Sequence, residues 1–167
     1  MRKILTIILV MLSAWSMAQN MSLKDRFFYG GNLGLQFGSV TFIDVSPMVG
    51  FWFTNELSAG VGAIYNYAKY SNYNPAIERQ LYGGNVFARL DIFSNLFLHA
   101  QYEPINVEYF DLSGKKSRKW VENTLVGGGY KQAVGKRSCL TISVLWNLTQ
   151  SEDSPYQNPI IRAGFNF

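Results

Sequence analysis

His99 is the single histidine of the chain, and Gln101 and Glu103 follow it at alternate positions. A strand places all three side chains on one face, where an imidazole beside a carboxylate is the pairing that general-base chemistry needs. A hydrolase or acyltransferase built on that pair also needs a nucleophile, and no serine here stands in a G-x-S-x-G context. No catalytic residue is therefore assigned. The remaining charges of matching strand parity, Asp44, Arg89, Asp91, Glu108, Glu122 and Arg162, are mixed in sign. Enclosed charges are tolerated only when paired. Asp44, Arg89, Asp91, His99, Glu103, Glu122 and Arg162 are thus expected to form one interior polar network, in which Arg89 and Arg162 pair with Glu103, Glu122 or Asp44. A narrow polar conduit is the functional alternative.

Lys115-Lys116-Ser117-Arg118-Lys119 is a dense cationic run. Such runs are by default solvated loops, and the sharper reading is contact with an anionic, phosphate-bearing surface. The Tyr70 to Asn74 stretch, rich in tyrosine and asparagine, is a second candidate contact loop. Cys139 stands alone, which excludes an internal disulfide and a cysteine-built metal site; no metal or cofactor is implied. The formal charge of +4 includes Arg2 and Lys3 of an export leader and loses two on its removal, so the balance lends nucleic-acid binding no support. Asn147-Leu148-Thr149 matches the glycosylation pattern by chance.

Positioning these groups falls to segments of alternating polarity. The expected strands are residues 27 to 37, 42 to 53, 56 to 68, 80 to 92, 96 to 110, 120 to 133, 138 to 148 and 159 to 167. Apolar side chains recur at alternate positions, as in Val45, Pro47, Val49, Phe51 or Leu140, Ile142, Val144, Trp146, with polar residues or glycine between. Strand five changes phase at Pro104, where a bulge is expected to return Ile105, Val107 and Tyr109 to the apolar face. In strand six Val121 and Leu125 are assigned to that same face, with Lys131 reaching the rim beside it. The glycine run 127 to 129 makes this strand a candidate weak wall for a lateral opening.

Residues 1 to 18 combine Arg2 and Lys3, an apolar run too short for the roughly 20 residues of a spanning helix, and small residues ending in Ser16-Met17-Ala18. They read as a cleaved signal peptide, followed by a short periplasmic segment, 19 to 26, and one barrel domain, 27 to 167. Tight connections near Thr54, Ser94 and Gly135 alternate with longer polar ones at 69 to 79, 111 to 119 and 149 to 158, the asymmetry of outer-membrane barrels. The expected fold class is all-β, an eight-stranded antiparallel up-and-down transmembrane β-barrel. Phe51, Phe53, Phe165 and Phe167 would girdle one rim, and Tyr65, Tyr67, Tyr109 and Trp146 the other.

With this leader and these segments, Pro47-Met48-Val49-Gly50-Phe51, Leu57-Ser58-Ala59-Gly60-Val61-Gly62, Gly83-Gly84-Asn85-Val86-Phe87-Ala88-Arg89, Tyr102-Glu103 and the terminal aromatic, the chain resembles the small outer-membrane β-barrel domain family of Gram-negative bacteria, in the OmpX and OmpA-barrel size class. The resemblance implies that Phe165 and Phe167 form the signal read by the barrel assembly machinery. It also implies outer-membrane lipid and lipopolysaccharide as surroundings, the latter offering phosphates to Lys115, Lys116, Arg118 and Lys119. A monomer without enzymatic activity is expected. The other readings are transport of a small apolar solute as in OmpW-like barrels, a lipid-modifying barrel enzyme, and a soluble lipocalin-like binder with reversed polarity.

Overall fold

The computed structural model describes residues 23–36, 40–70, 77–110, 116–135, 138–149, 151, 154–156 and 158–167. The proposed signal peptide, residues 19–22, most of the Tyr70 to Asn74 stretch and Lys115 lie outside the described residues. One 3-10 turn, Leu23–Arg26, leads into eight strands. These are β1 Phe27–Gln36, β2 Val40–Trp52, β3 Leu57–Tyr70, β4 Ile77–Asp91, β5 Leu96–Phe110, β6 Lys116–Ala133, β7 Cys139–Asn147 and β8 Ile160–Asn166. Each pairs antiparallel with the next, and β1 pairs with β8, so the sheet closes as an up-and-down barrel.

Local chemistry makes the tight turns. Thr54 Oγ1 accepts from the backbone N–H of Leu57 at 2.9 Å and of Glu56 at 3.2 Å, fixing the β2–β3 turn. Backbone bonds from Ile92 to Leu96 (3.0 Å) and from Val134 to Ser138 (2.9 Å) close the corresponding turns after β4 and β6. Phe27 and Phe167 lie at this same turn end, where Tyr29 and Phe167 exchange backbone hydrogen bonds across the closing seam. The opposite end carries the longer connections.

Sidedness follows the alternation. Val61, Val86, Ile142 and Val144 are exposed on the outer wall, Val86 at 56% and Ile142 at 58%, whereas Arg89 is 7% and Glu103 0% exposed. Edge-on aromatic contacts, Phe27–Phe51 at 5.1 Å, Phe51–Phe53 at 5.3 Å and Phe165–Phe167 at 4.5 Å, ring the turn end. Tyr65 and Trp146 are exposed nearer the loop end; the Tyr109 side chain lies outside the description.

Three expectations are corrected by register. The β5–β6 pairing runs unbroken from Leu96↔Tyr130 through Pro104↔Glu122 to Phe110↔Lys116, so there is no bulge at Pro104. Ile105 and Val107 consequently stay on the inner face of His99, Gln101 and Glu103, and both are buried. The same register turns β6 over: Val121 and Leu125 point inward and are buried, while Tyr130 is exposed. Lys131 also points inward, to Asp91. The glycine run is paired on both sides, to Phe97, Leu98 and His99 of β5 and to Ser143, Val144 and Leu145 of β7, so β6 offers no gap in the wall.

Candidate functional site: the barrel interior and its outer mouth

The interior is filled in three tiers. At the turn end Phe28, Trp52, Phe87 and Phe97 occupy the axis, with Phe28 5.6 Å from Trp52 and 6.3 Å from Phe87. Three of these rings face a glycine across the sheet, in the pairs Phe28↔Gly50, Gly60↔Phe87 and Phe97↔Gly129. A Cβ on Gly60 would lie 2.6 Å from Phe87 Cζ, so the ring fits only over bare backbone. Arg89 lies on the Phe97 ring at 4.5 Å, an interaction worth most when desolvated. Lys131, which bonds Asp91, sits 5.8 Å from the Trp52 ring.

The middle tier is ionic. Arg162 on β8 meets Glu103 on β5 in a bidentate pair at 2.6 and 3.1 Å, the geometry that makes arginine–carboxylate contacts strong. Gln101 donates its amide to Glu103 and presents its Oε1 to His99 Nε2 at 2.8 Å. Because Gln101 Oε1 can only accept, the proton of a neutral His99 resides on Nε2. Asp44 accepts from the Ser46 hydroxyl at 2.8 Å. A cavity of about 20 Å³ lies among Asn85, Arg89, His99, Ser143 and Arg162, room for about one water molecule.

The third tier, toward the loop end, is apolar where a polar lumen was expected. Ile105, Val107 and Val121 form one buried cluster and Leu125, Leu145 and Ile160 another, with Tyr156 packed against both. The chain between β7 and β8 supplies Tyr156 by entering the mouth. Ser154 donates to Asn123 Oδ1 at 2.7 Å, and Asn147 donates to the same oxygen at 2.8 Å. Asn158 brackets the backbone of Asn147, accepting from its N–H at 2.7 Å and donating to its C=O at 3.1 Å. Burial, and secondarily the Glu103 carboxylate, push the Tyr156 phenol well above its ordinary pKa.

Of the seven residues assigned to one network, Asp44, Arg89, Asp91, His99, Glu103 and Arg162 line the interior, though in separate groups. Glu103, Arg162 and His99 are joined through Gln101; Asp91 is held by Lys131; Arg89 rests on an aromatic ring. Glu122 is a correction: it pairs across from Pro104 and its side chain is exposed on the outer wall. Glu108, also assigned inward, instead faces Arg118 at 3.6 Å. The two errors have separate causes: Glu108 followed the assumed phase change at Pro104, and Glu122 followed the assignment of Val121 and Leu125 to the apolar face of strand six. Glu122→Ala is accordingly expected to shift the urea midpoint of the refolded protein by less than about 0.5 kcal/mol equivalent, as for an exposed surface position; a loss as large as that of a buried ion would restore it to the interior.

Within the cationic run, Arg118 is bound to the barrel wall: it donates to the Gln80 carbonyl at 2.9 Å and lies over the Tyr82 ring at 4.7 Å. Lys119 belongs to β6, and Lys116 begins that strand. His99 is 8% exposed, stacked on Phe87 at 5.6 Å. Among the described residues no cluster of His, Cys, Asp or Glu is arranged to hold a metal ion.

No protein-family model matches the chain, and no curated protein matches it. Among solved structures it is similar to the crystal structure of the N-terminal β-barrel domain of Pseudomonas aeruginosa OprF. The similarity is 11% in sequence with a TM-score of 0.43, over 84% of this chain and 94% of that one.

Sequence reasoning overlooked Lys131 and Tyr156 as interior groups, together with the aromatic tier. For the aromatics a signal existed: Phe87 and Phe97 share the parity of Arg89 and His99, and glycines recur at the same parity on neighbouring strands. A large ring and a bare backbone are complementary across a narrow barrel.

Proposed function

We propose that this chain is an integral outer-membrane β-barrel protein, exported behind a cleaved leader, that performs no catalysis and serves as a monomeric platform for contacts made by its loops outside the cell. The observation that carries the reading is the sidedness of the wall: Val61, Val86, Ile142 and Val144 face outward around buried Arg89, His99 and Glu103. A soluble binder of the lipocalin kind has the reverse arrangement. In hydrocarbon, closure removes the unpaired backbone groups that an open sheet would expose at several kcal/mol each.

A non-conducting platform is further supported by the filled interior, with the small cavity among Asn85, Arg89 and His99 bounded by aromatic and aliphatic tiers. A non-catalytic role is supported by Gln101 standing between His99 and Glu103, an amide where a charge relay would need the acid in contact. Phe165 and Phe167, on the outer side of the terminal strand, are the residues we assign to recognition by the assembly machinery. Lys115, Lys116, Arg118 and Lys119 are assigned to lipopolysaccharide phosphates.

The test is fractionation. The protein is expected to stay in outer-membrane pellets after alkaline carbonate extraction and to migrate faster unboiled than boiled in gel electrophoresis; release into the carbonate supernatant would overturn the membrane reading. Neutralising Lys115, Lys116 and Lys119 together is expected to lower binding of tagged cells or refolded protein to lipopolysaccharide. Unchanged binding removes the cationic run from the account and leaves the barrel assignment intact.

A further inference from the structure

Tyr156 reaches the inner wall from the connection between β7 and β8 and not from a strand. Its surroundings have the composition of a ligand pocket, apolar walls with a few convergent polar groups. Tyr156 packs against two buried aliphatic clusters, Ile105, Val107 and Val121 in one and Leu125, Leu145 and Ile160 in the other. The Arg162 guanidinium lies 5.3 Å from the ring centre, where a cation meets the negative face of an aromatic ring. The hydroxyl is turned to the Glu103 carboxylate, itself fixed by both Arg162 nitrogens and by Gln101 before any phenol arrives. The acceptor is preorganised, and preorganisation is what converts contacts into affinity.

We propose that the outer lumen of this barrel is a binding site for small aromatic alcohols, and that Tyr156 is its tethered occupant, displaced by phenolic solutes that enter from the loop end. The pocket selects for an aromatic ring by its two aliphatic clusters and the Arg162 guanidinium, and for a hydroxyl by Glu103. The tether is short: Tyr156 lies between the anchors Ser154 and Asn158, whose bonds to Asn123 and Asn147 hold the segment in the mouth. A group so held competes at an effective concentration of order millimolar. Free phenols must therefore exceed that level, or bind with additional contacts, to displace it. The inference concerns the lumen and stands whether or not the barrel acts as a surface platform.

p-Cresol, which is the tyrosine side chain cut free at its Cβ, is the probe, and toluene, its counterpart without the hydroxyl, is the control. Both are titrated against the full-length mature chain refolded in detergent, with Tm as the readout, for wild type and Tyr156→Ala in parallel so that partition into micelles cancels. Tyr156→Ala is expected to gain Tm saturably with p-cresol at concentrations about tenfold lower than wild type needs. Toluene should require about tenfold more than p-cresol, the ratio that loss of one hydrogen bond to a charged acceptor gives. Identical p-cresol responses in variant and wild type, or equal responses to p-cresol and toluene, would overturn the proposal. If Tyr156→Ala does not refold, Tyr156→Phe keeps the packing and loses only the hydroxyl. p-Cresol must then act on it at lower concentration than on wild type, and an equal response refutes the site.

Discussion

Glu103→Ala is expected to cost about 3–5 kcal/mol of unfolding free energy, the largest loss of any single polar substitution in this barrel, because it strands the Arg162 guanidinium inside without its carboxylate. Glu103 is fully buried and accepts from Arg162 through both oxygens as well as from Gln101. Removing it undoes three charge-assisted bonds at once. The measurement is the urea midpoint of protein refolded into vesicles, followed by tryptophan fluorescence, with the denaturant slope checked to be unchanged. Removing both partners with Glu103→Leu and Arg162→Met together should recover most of the loss, since apolar replacement of a buried pair is often neutral or stabilising. If the single variant unfolds at the wild-type midpoint, the ion pair is not the centre of the interior.

Val86→Arg is expected to destabilise the barrel in a lipid bilayer by about 2–4 kcal/mol, and Ile92→Arg by about 0–1 kcal/mol. Both side chains are exposed on the outer wall. Val86 lies midway along β4, and Ile92 begins the turn that follows it. The difference between them is a depth gauge: arginine at the midplane has no headgroup or water to reach, whereas at the rim it snorkels. Equal tolerance of the two substitutions would mean that the exposed apolar band does not face hydrocarbon, and the membrane reading would fall with it.

The alternation that built the fold expectation is a property of single strands. In β7 the series Leu140, Ile142, Val144, Trp146 against Thr141, Ser143, Asn147 can be read without knowing any partner, and the structure keeps that split. Leu145, at polar parity, is buried inside with Leu125 and Ile160. A lone apolar residue among polar ones is ambiguous until its neighbours are known. In β6 the ambiguity is complete: Gly127, Gly128 and Gly129 have no side chains to report a face, and Val121 and Leu125 read equally well as lipid contacts or core. Only pairing to β5, Ile105 opposite Val121 and Gln101 opposite Leu125, decides that they point inward.

Pro104 misled for a related reason. A proline in a strand lacks a ladder donor and often marks a bulge, and the polarity pattern does invert after it. Yet the register is the same on both sides of Pro104 and the inversion is real. Past Pro104 the lumen carries Ile105 and Val107, and Asn106 and Glu108 take the opposite parity, Asn106 covered between its partners Tyr82 and Trp120.

Residue order alone was enough to determine the strand count, the closed antiparallel topology and the outward face of most strands, because period-two alternation and short turns are local and repeat eight times. The tertiary structure alone decided which charges meet, that Lys131 and not an arginine holds Asp91, that Glu122 lies outside, and that Tyr156 fills the mouth. Those outcomes depend on cross-strand register and on the narrow volume left once eight strands close, and neither quantity is a property of any one segment of the chain.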